Sequence, residues 1–515
     1  MNTSKIFDKL VVLDLANNHF GDVFFAKKIV NSFGKIVRKH KVNSTIKFQF
    51  RDLPNFIHKD FINSDLPYVR RFLDTKMSDE KFFSLFKCIK KNKIKTSCTP
   101  FDEKSVSKIE KFKFDFIKIA SVSALDFNLH ERVIKNKIPK IISTGGIKID
   151  DIDKIVSFYS KKNQQFGLMH CVSIYPTKNS DLNLNFIENL KKRYENINIG
   201  WSTHEDPSEF LPASLALSKG ATMFEKHIGL DTNKYKLNKY SITPKEFENW
   251  LINLDKAREM LGSYNKKIYN DELKTIEKLS RGVYVKKNLK KNSVLNSSNI
   301  YFAFPKQKNQ LSSQELKENT VIKVNKNADS LIKKSEVIFD KDLILEYKIK
   351  SYLHKAKAML NYNNIKVGDN FDMEISHHKG INNFEKVGCF LFNIVNREYA
   401  KKLLVMLPNQ KHPSHFHKIK YETFIIITGN LILIDGKKKY HLNAGDTVDL
   451  KKSGWHEFTS GPSGCIFEEI STTSYNSDSF YKNKKIKKLS RDKRKTYINN
   501  WFGQTGKVKF KKIDK

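Results

Sequence analysis

Between Leu10 and Ile228 the chain repeats one pattern of apolar and polar positions: a short run rich in β-branched and apolar residues, then a longer stretch with apolar residues three and four apart. The short runs are LVVLDLA at Leu10, TIKFQF at Thr45, IKTSCTP at Ile94, FIKIAS at Phe116, KIIST at Lys140, FGLMHC at Phe166, INIGWSTH at Ile197 and TMFEKHI at Thr222. They predict eight strands. The intervening segments, such as FFAKKIVNSFGKIV from Phe24 and FFSLFKCI from Phe82, carry helical spacing and are long enough for right-handed crossovers. Eight alternating units predict an α/β fold, a (β/α)8 TIM barrel with its site at the C-terminal strand ends. An open doubly wound sheet would alternate in the same way, but no GxGxxG follows the first strand.

A closing helix is expected from Trp250 to Leu261, which bounds the barrel at residues 1–265. The pattern then turns to short strands and turn residues, SRGVYVKKNLKKNSVLNSSNIYFAFP, giving a small β-rich module at 272–340. LILEYKIKSYLHKAKAMLNY, Leu343 to Tyr362, reads as a helix preceding a third domain at 341–480. There CFLFNIVN, KKLLVML, ETFIIITGNLILIDG and CIFEEIST, separated by Gly, Asn and Asp, mark a β-barrel or jelly roll. Residues 481–515 read as a basic C-terminal extension, partly docked through Tyr497, Trp501 and Phe502.

Composition narrows the function. At 515 residues the chain exceeds what one hydrophobic core fills, and 38 Phe give several cores their material. The net charge of +39 invites a nucleic-acid reading. The basic residues are mostly scattered Lys accompanied by abundant Asn and Ile, as nucleotide bias acting on solvated faces produces, so no specific nucleic-acid partner is expected. Cys88, Cys98, Cys171, Cys389 and Cys465 are odd in number and lack a CxxC, which disfavours a disulfide framework or thiolate zinc site. With no signal-peptide core and no apolar run of membrane-spanning length, a soluble cytoplasmic protein is expected, with no membrane partner.

The strand ends gather chemistry. Asn17, Asn18 and His19 follow the first strand; Lys47 and Gln49 end the second, Thr99 the third, Lys118 and Ser121 the fourth, and Ser143 and Thr144 the fifth, before Gly145-Gly146. His170, Ser173 and Tyr175 follow the sixth, Ser202 and His204 the seventh, and Glu225 and His227 the eighth. Lysines inside apolar strands are costly without an anionic partner, so Lys47 and Lys118 in a hydroxyl-lined mouth point to a bound phosphate or carboxylate. His204 and His227, at the ends of neighbouring strands beside Glu225, suit one divalent metal that would polarise the carbonyl of a second substrate.

In this order LANNHFG, IKFQF, TPF, IKIAS, STGG, MHCVSIYPT, GWSTH and FEKHIG resemble the sialic acid synthase family, over about residues 8 to 262. RGVYVKKNLKKNSVLNSSNI is similar to the antifreeze-like (SAF) module that follows the barrel in that family. The resemblance implies a transferase that condenses phosphoenolpyruvate with an N-acylated aldose to a nonulosonic acid. Lys47, Thr99, Lys118, Ser121, Ser143, Ser173 and Tyr175 would then surround phosphoenolpyruvate, Asn18, His19, Gln49, Ser202 and Glu225 would complete the substrate site, and His204 and His227 would hold manganese. It also implies a homodimer with exchanged antifreeze-like modules. The chain departs from the family in several places: Ser173 stands where Asn is usual, Phe20 replaces a glutamate, Leu237 and Asn238 stand where an acidic residue is usual, and Phe304 replaces an arginine that reaches the sugar. The phosphoenolpyruvate and metal halves match, whereas the sugar half is rebuilt.

HPSHFHKIKYETFIIITG places His415 and His417 on one face of a strand, followed by Glu422 and Gly429, with His456 later in the chain. Alternate strand residues point the same way, so these side chains can converge on a second divalent metal. The pattern resembles the cupin family, whose first motif is met in full; in the second, Lys451, Ser453 and Ser460 stand where Pro, Gly and Asn are usual. Glu374 to Thr473 resembles sugar-isomerase cupins, which implies metal-assisted proton transfer next to a carbonyl. The alternative to a synthase is a metal-dependent sugar isomerase or epimerase whose barrel only binds a phosphorylated ligand.

Overall fold

A computed structural model describes residues 5–502. By compactness the chain divides into two units, 1–266 and 267–515. In the first, the eight runs form parallel strands β1 (Leu10–Asp14), β2 (Ser44–Phe50), β3 (Lys95–Pro100), β4 (Phe116–Ile119), β5 (Lys140–Ser143), β6 (Phe166–Cys171), β7 (Asn198–Ser202) and β8 (Met223–His227). Each pairs with the next, and β8 pairs with β1, closing the barrel. Period two along the strands sorts the side chains. Val11, Leu13, Ile46, Phe48, Trp201 and Phe224 face the helices. Val12, Phe116, Ile141, Met169 and Met223 fill the lower lumen. Two residues further along those same strands, Asp14, Lys118, Ser143, Cys171 and Glu225 face the same lumen, so its lining turns from apolar to ionisable at the C-terminal end.

The helices hold this frame from outside. Val23–Lys39 starts where Asp22 accepts from the Phe24 and Phe25 amides, and it buries Phe25, Ile29, Val30, Phe33 and Val37 at helical spacing. The closing helix runs Pro244–Leu261. It begins ahead of Trp250 because Thr243 and Glu246 form a capping box around Pro244.

The second unit contains separate cores. Val283, Val285, Leu295, Ile300, Ile322 and Val337 pack under two small antiparallel pairs, β9 (Gly282–Val285) with β10 (Ile300–Ala303) and β11 (Val321–Ile322) with β12 (Val337–Ile338). Beyond them come β13 (Asn370–Ser376), β14 (Cys389–Asn396), β15 (Tyr399–Met406), β16 (Lys411–Phe416), β17 (Glu422–Asp435), β18 (Lys438–Asn443), β19 (Thr447–Leu450), β20 (His456–Thr472), β21 (Phe480–Tyr481) and β22 (Lys495–Asn500). They form one sheet of order β18-β17-β20-β15-β14-β13-β22, with β16, β19 and β21 attached. Strands β17 and β20 pair antiparallel from Glu422 opposite Ser471 to Asp435 opposite His456, and bulges beside Gly429 bend them round.

Two segments flanking the sheet are built into its fold. The helix Lys341–Tyr362 does not merely precede the sheet: Ile349, Leu353, Ala356 and Leu360 belong to the same core as Met373, Phe390 and Ile466. The basic stretch after 480 is likewise built in, because β21 pairs with β16 and β22 pairs with β13. Trp501 then packs 4.6 Å from Phe371 and donates to the Gly368 carbonyl. Its alternating Tyr497 and Ile498 are strand-like, but the dense Lys and Arg around them disguise it as solvated. The rest of the expected extension, 503–515, lies outside the described residues. Among the described residues no helix is long and apolar enough to cross a membrane.

Candidate active site and metal centre

At the barrel mouth Lys47 Nζ lies 2.9 Å from Asp14 Oδ2 and 2.6 Å from Glu225 Oε1. Lys118 Nζ lies 3.4 Å from Glu225 Oε2 and donates to Ser143 Oγ. All four charged groups are buried. The anionic partners that the buried lysines require therefore come first from the chain itself, two carboxylates for two ammonium groups, and Lys118 is the more loosely paired. Burial opposes the charge on Lys47, yet Asp14 and Glu225 raise its pKa above the ordinary lysine value. Burial pulls Lys118 below that value, with Glu225 restoring only part. Burial alone would raise Glu225, but Lys118 and Lys47 hold its carboxyl at about 2.

His227 Nδ1 sits 3.4 Å from the same Asp14 oxygen that Lys47 meets, and it has no hydrogen-bond partner although buried. His204 Nδ1 donates to the Val172 carbonyl at 3.0 Å, which leaves Nε2 with its lone pair. The two rings are 5.2 Å apart by centroid, with Tyr175 4.1 Å from His204 and Tyr240 5.2 Å from His227. Burial lowers the His227 pKa and keeps the ring neutral, as a ligand must be. His227, with its orphaned buried nitrogen, and the adjacent His204 ring fit a divalent ion whose other positions stay open.

Beside them Gly145 makes room for a ligand. A methyl group there would meet Ser173 Oγ at 2.5 Å and Ser121 Oγ at 2.7 Å, and the Gly145 amide donates to Ser121 Oγ at 3.1 Å. Ser121, Ser173, Gly145, Ser143 and Lys118 thus form one cluster of small donors. Thr99 Oγ1 is buried without a partner, and Ser202 is buried at the end of β7. Gln49 Nε2 reaches Asp14 Oδ2 at 3.5 Å. Asn18 is committed elsewhere: Nδ2 donates to the Ile228 carbonyl (2.8 Å) and Ser241 Oγ (3.0 Å), and Oδ1 accepts from Asn238 (3.1 Å). It fastens the loop after β8 and has no free amide for a ligand. His19, held at about 4 by burial, accepts from the Gly21 amide and stands edge-on to Phe82.

In the second unit His415, His417 and His456 bring one ring nitrogen each to within 4.8 Å of one another. Backbone carbonyls fix all three tautomers. His415 Nδ1 donates to Pro413 (3.0 Å), His456 Nδ1 to Gly454 (3.1 Å) and His417 Nδ1 to Asp478. Every Nε2 lone pair is thereby turned inward, and those of His415 and His456 stand 3.1 Å apart, a repulsive contact that a shared cation relieves. Glu422 lies 3.5 Å from His417 Nε2 and 3.5 Å from His456 Nε2. The donor set fits a divalent metal. Lys420 binds Glu422 at 2.6 Å and Glu469 at 2.7 Å, and Asp478 accepts from the Lys418, Ile419 and Lys420 amides, bracing the loop that carries the ligands. The group opens into a cavity of about 1100 Å³ that Lys402, Arg491 and Lys495 also line. Of the unusual second-motif residues, Ser453 adopts φ +59 and Ser460 ties the Leu407 carbonyl to the Gln410 amide.

The NeuB family pattern matches residues 39–266, and that of the cupin domain residues 402–463. An uncharacterized protein, MJ1065, of Methanocaldococcus jannaschii is 31% identical over 325 residues, 63% of this chain and 93% of that one. The chain belongs to the NeuB family. A solved structure, a putative spore coat polysaccharide biosynthesis protein E from Chromobacterium violaceum, shares 35% identity with a TM-score of 0.59, covering 64% of this chain and all of that one. The N,N'-diacetyllegionaminic acid synthase of Campylobacter jejuni is 27% identical over 304 residues, 56% of this chain and 89% of that one. The protein is thus a NeuB-type barrel of the sialic acid synthase kind carrying a C-terminal cupin domain.

Within this NeuB frame the departures at Phe20 and Leu237 have physical reasons. Phe20, at φ +50, stacks on Tyr235 at 4.8 Å, and the Tyr235 hydroxyl donates to Asp22, the cap of the first barrel helix. Leu237 packs over Gly229, where any Cβ would strike it. Apolar contacts therefore fasten the loops after β1 and β8 around the mouth. Sequence reasoning missed Asp14, concealed inside the apolar run LVVLDLA; its phase with Val12 was the available signal. It also missed Cys171, in phase with Met169. Burial would raise that thiol, but the His204 ring and Lys118 outweigh it and leave its pKa below the ordinary value. Arg51 and Tyr240 carried no motif.

Proposed function

We propose that the barrel condenses phosphoenolpyruvate with an N-acylated aldose, giving a nonulosonic acid and phosphate. The observation that carries this reading is the shared Asp14 carboxylate, which brings Lys47 and His227 to one oxygen and so joins the cationic cluster to the imidazole pair. Lys118, Ser143, Ser121, Ser173 and the Gly145 cradle hold the phosphate and carboxylate of phosphoenolpyruvate. A divalent ion, manganese by family resemblance, would be held by His204 and His227 and would supply Lewis-acid polarisation of the acceptor aldehyde. The enol C3 attacks the aldehyde carbon, water adds at C2, and the C2–O bond to phosphate breaks. Lys47 and Lys118 stabilise negative charge on the phosphate and carboxylate oxygens through these steps, in a site where burial strengthens each interaction. Tyr175 and Tyr240 wall the imidazole pair.

The cupin supports a second activity on the same class of substrate. Three histidines with inward lone pairs and Glu422, beside a cavity of about 1100 Å³ that His415, His417 and Glu422 line, suit metal-assisted proton transfer beside a sugar carbonyl, an isomerase or epimerase step that would make the aldose. The test is mass spectrometry of products from phosphoenolpyruvate and a panel of N-acylated aldoses, with and without manganese. A product of sugar plus pyruvate mass, formed with phosphate release, is expected. Isomerised sugar with no phosphate release from any member would leave only the second activity.

A further inference from the structure

His204 and His227 stand at the ends of two neighbouring strands, and the residues beside them in sequence meet behind them. Glu205 follows His204 and Lys226 precedes His227; Lys226 Nζ donates to Glu205 Oε1, and both side chains are wholly buried. Lys226 lies between two lumen-facing residues, Glu225 and His227, so it points the other way, in register with Leu13 of the apolar layer under the helices. Neither residue makes a second ion pair among the described residues, and Glu205 Oε2 is buried with no hydrogen-bond partner. Asp206, the next carboxylate along, is turned to the Ser208 amide (2.9 Å) and hydroxyl (2.7 Å).

The pair sits where the β-ladder has run out. Strands β7 and β8 are in register from Gly200 opposite Met223 to Ser202 opposite Glu225, and the last rung is the Thr203 amide on the Glu225 carbonyl at 3.2 Å. His204 comes after that rung, and its own bonds run to the loop after β6: Nδ1 donates to the Val172 carbonyl (3.0 Å), and its carbonyl accepts from the Thr177 amide (2.9 Å). Beyond the ladder, Glu205 and Lys226 tie the His204 segment to β8. Packing alone does not need charges there. Apolar side chains of similar volume are often neutral or stabilising in place of a buried ion pair, and they would leave no carboxylate oxygen unpaired. What the ion pair adds is a fixed distance and direction, and groups one step behind metal-binding imidazoles govern how the ligands are aimed. We propose that Glu205 and Lys226 are positioning residues, clamping the loop after β7 to β8 so that His204 and His227 present to one divalent ion. This rests on the metal reading of the barrel mouth given above.

The test uses the full chain, manganese as the probe, and electron paramagnetic resonance to count bound ions without turnover. The barrel site is the one that His227→Ala removes; the cupin site, removed by His415→Ala, is the internal reference. Glu205→Leu combined with Lys226→Met replaces the pair by apolar side chains. In this double variant manganese should bind the barrel roughly ten- to a hundredfold more weakly, as loss of a partner behind a ligand costs. The reference site and the KM for phosphoenolpyruvate at saturating manganese should stay put, and the melting temperature should hold within about 3 °C. The manganese concentration for half-maximal phosphate release should rise by the same factor as the Kd. Glu205→Gln keeps the shape and one acceptor oxygen but drops the charge; it should fall between wild type and the double variant, and it reads the clamp should the double variant not fold. Unchanged manganese affinity in these variants overturns the proposal while leaving the metal reading intact. A loss shared alike by manganese, the reference site, phosphoenolpyruvate and the melting temperature is that of a merely structural pair and overturns it too. A wild type with no manganese site that His227→Ala removes overturns the metal reading, and the proposal with it.

Discussion

Replacing Glu225 by Gln tests the electrostatic frame on which the barrel site stands. The carboxylate is the sole partner of Lys118 within ion-pair distance among the described residues and one of two for Lys47, and both contacts are buried. Glu225 has its carboxyl depressed from 4.5 to about 2 by Lys118 and Lys47 against the pull of burial. A shift of that size corresponds to about 3 kcal/mol of stability at pH 7. Breaking a buried pair from one side costs about 3–5 kcal/mol, a consistent range. Because the folded pKa lies below the unfolded one, this stabilisation is complete above about pH 5 and is lost as pH falls towards 2, being about 2 kcal/mol at pH 3.5. Calorimetry should therefore show the barrel transition of Glu225→Gln at pH 7 roughly 6–12 °C below wild type. Hydrogen exchange in β2, β4 and β8 should rise in the variant, and the gap should narrow on acidification. A variant within about 1 kcal/mol of wild type at pH 7, or a gap that widens towards pH 3.5, would refute the reasoning.

Elemental analysis of the purified full chain should find a divalent metal in the cupin. His415→Ala and His456→Ala should each remove it without changing phosphate release by the barrel, whereas His204→Ala and His227→Ala should abolish that release. Gly145→Ala, whose methyl would press on Ser173 Oγ at 2.5 Å and Ser121 Oγ at 2.7 Å, should raise the KM for phosphoenolpyruvate roughly tenfold or more with the melting temperature nearly unchanged. An unaltered KM would remove Gly145 from the phosphate cradle. Gly429→Ala, at φ +79 with the Gly464 carbonyl 2.2 Å from the new Cβ, should destabilise the cupin by about 2 kcal/mol or more, read as a lower melting temperature and a faster loss of its metal to a chelator.

What the sequence determined by itself was what repeats locally. Eight strands and their crossover helices were legible because apolar spacing is a property of neighbouring residues, and period two then put Lys47, Lys118, Glu225 and His227 on one lumen face. The histidines of HPSHFH were legible for the same reason. Only the tertiary structure decided who answers whom. Lys47 and Glu225 are 178 residues apart, and nothing local to either reveals that Asp14 and Glu225 neutralise the lysines. Chain closure made Asn18 a fastener of the β8 loop and drew the basic C-terminal stretch into the sheet beside β13. It also oriented three imidazoles through carbonyls as distant as that of Asp478, and it placed the Arg51 guanidinium between two phenyl rings. Burial makes such pairings energetically decisive, and burial belongs to the folded chain and not to any segment of it.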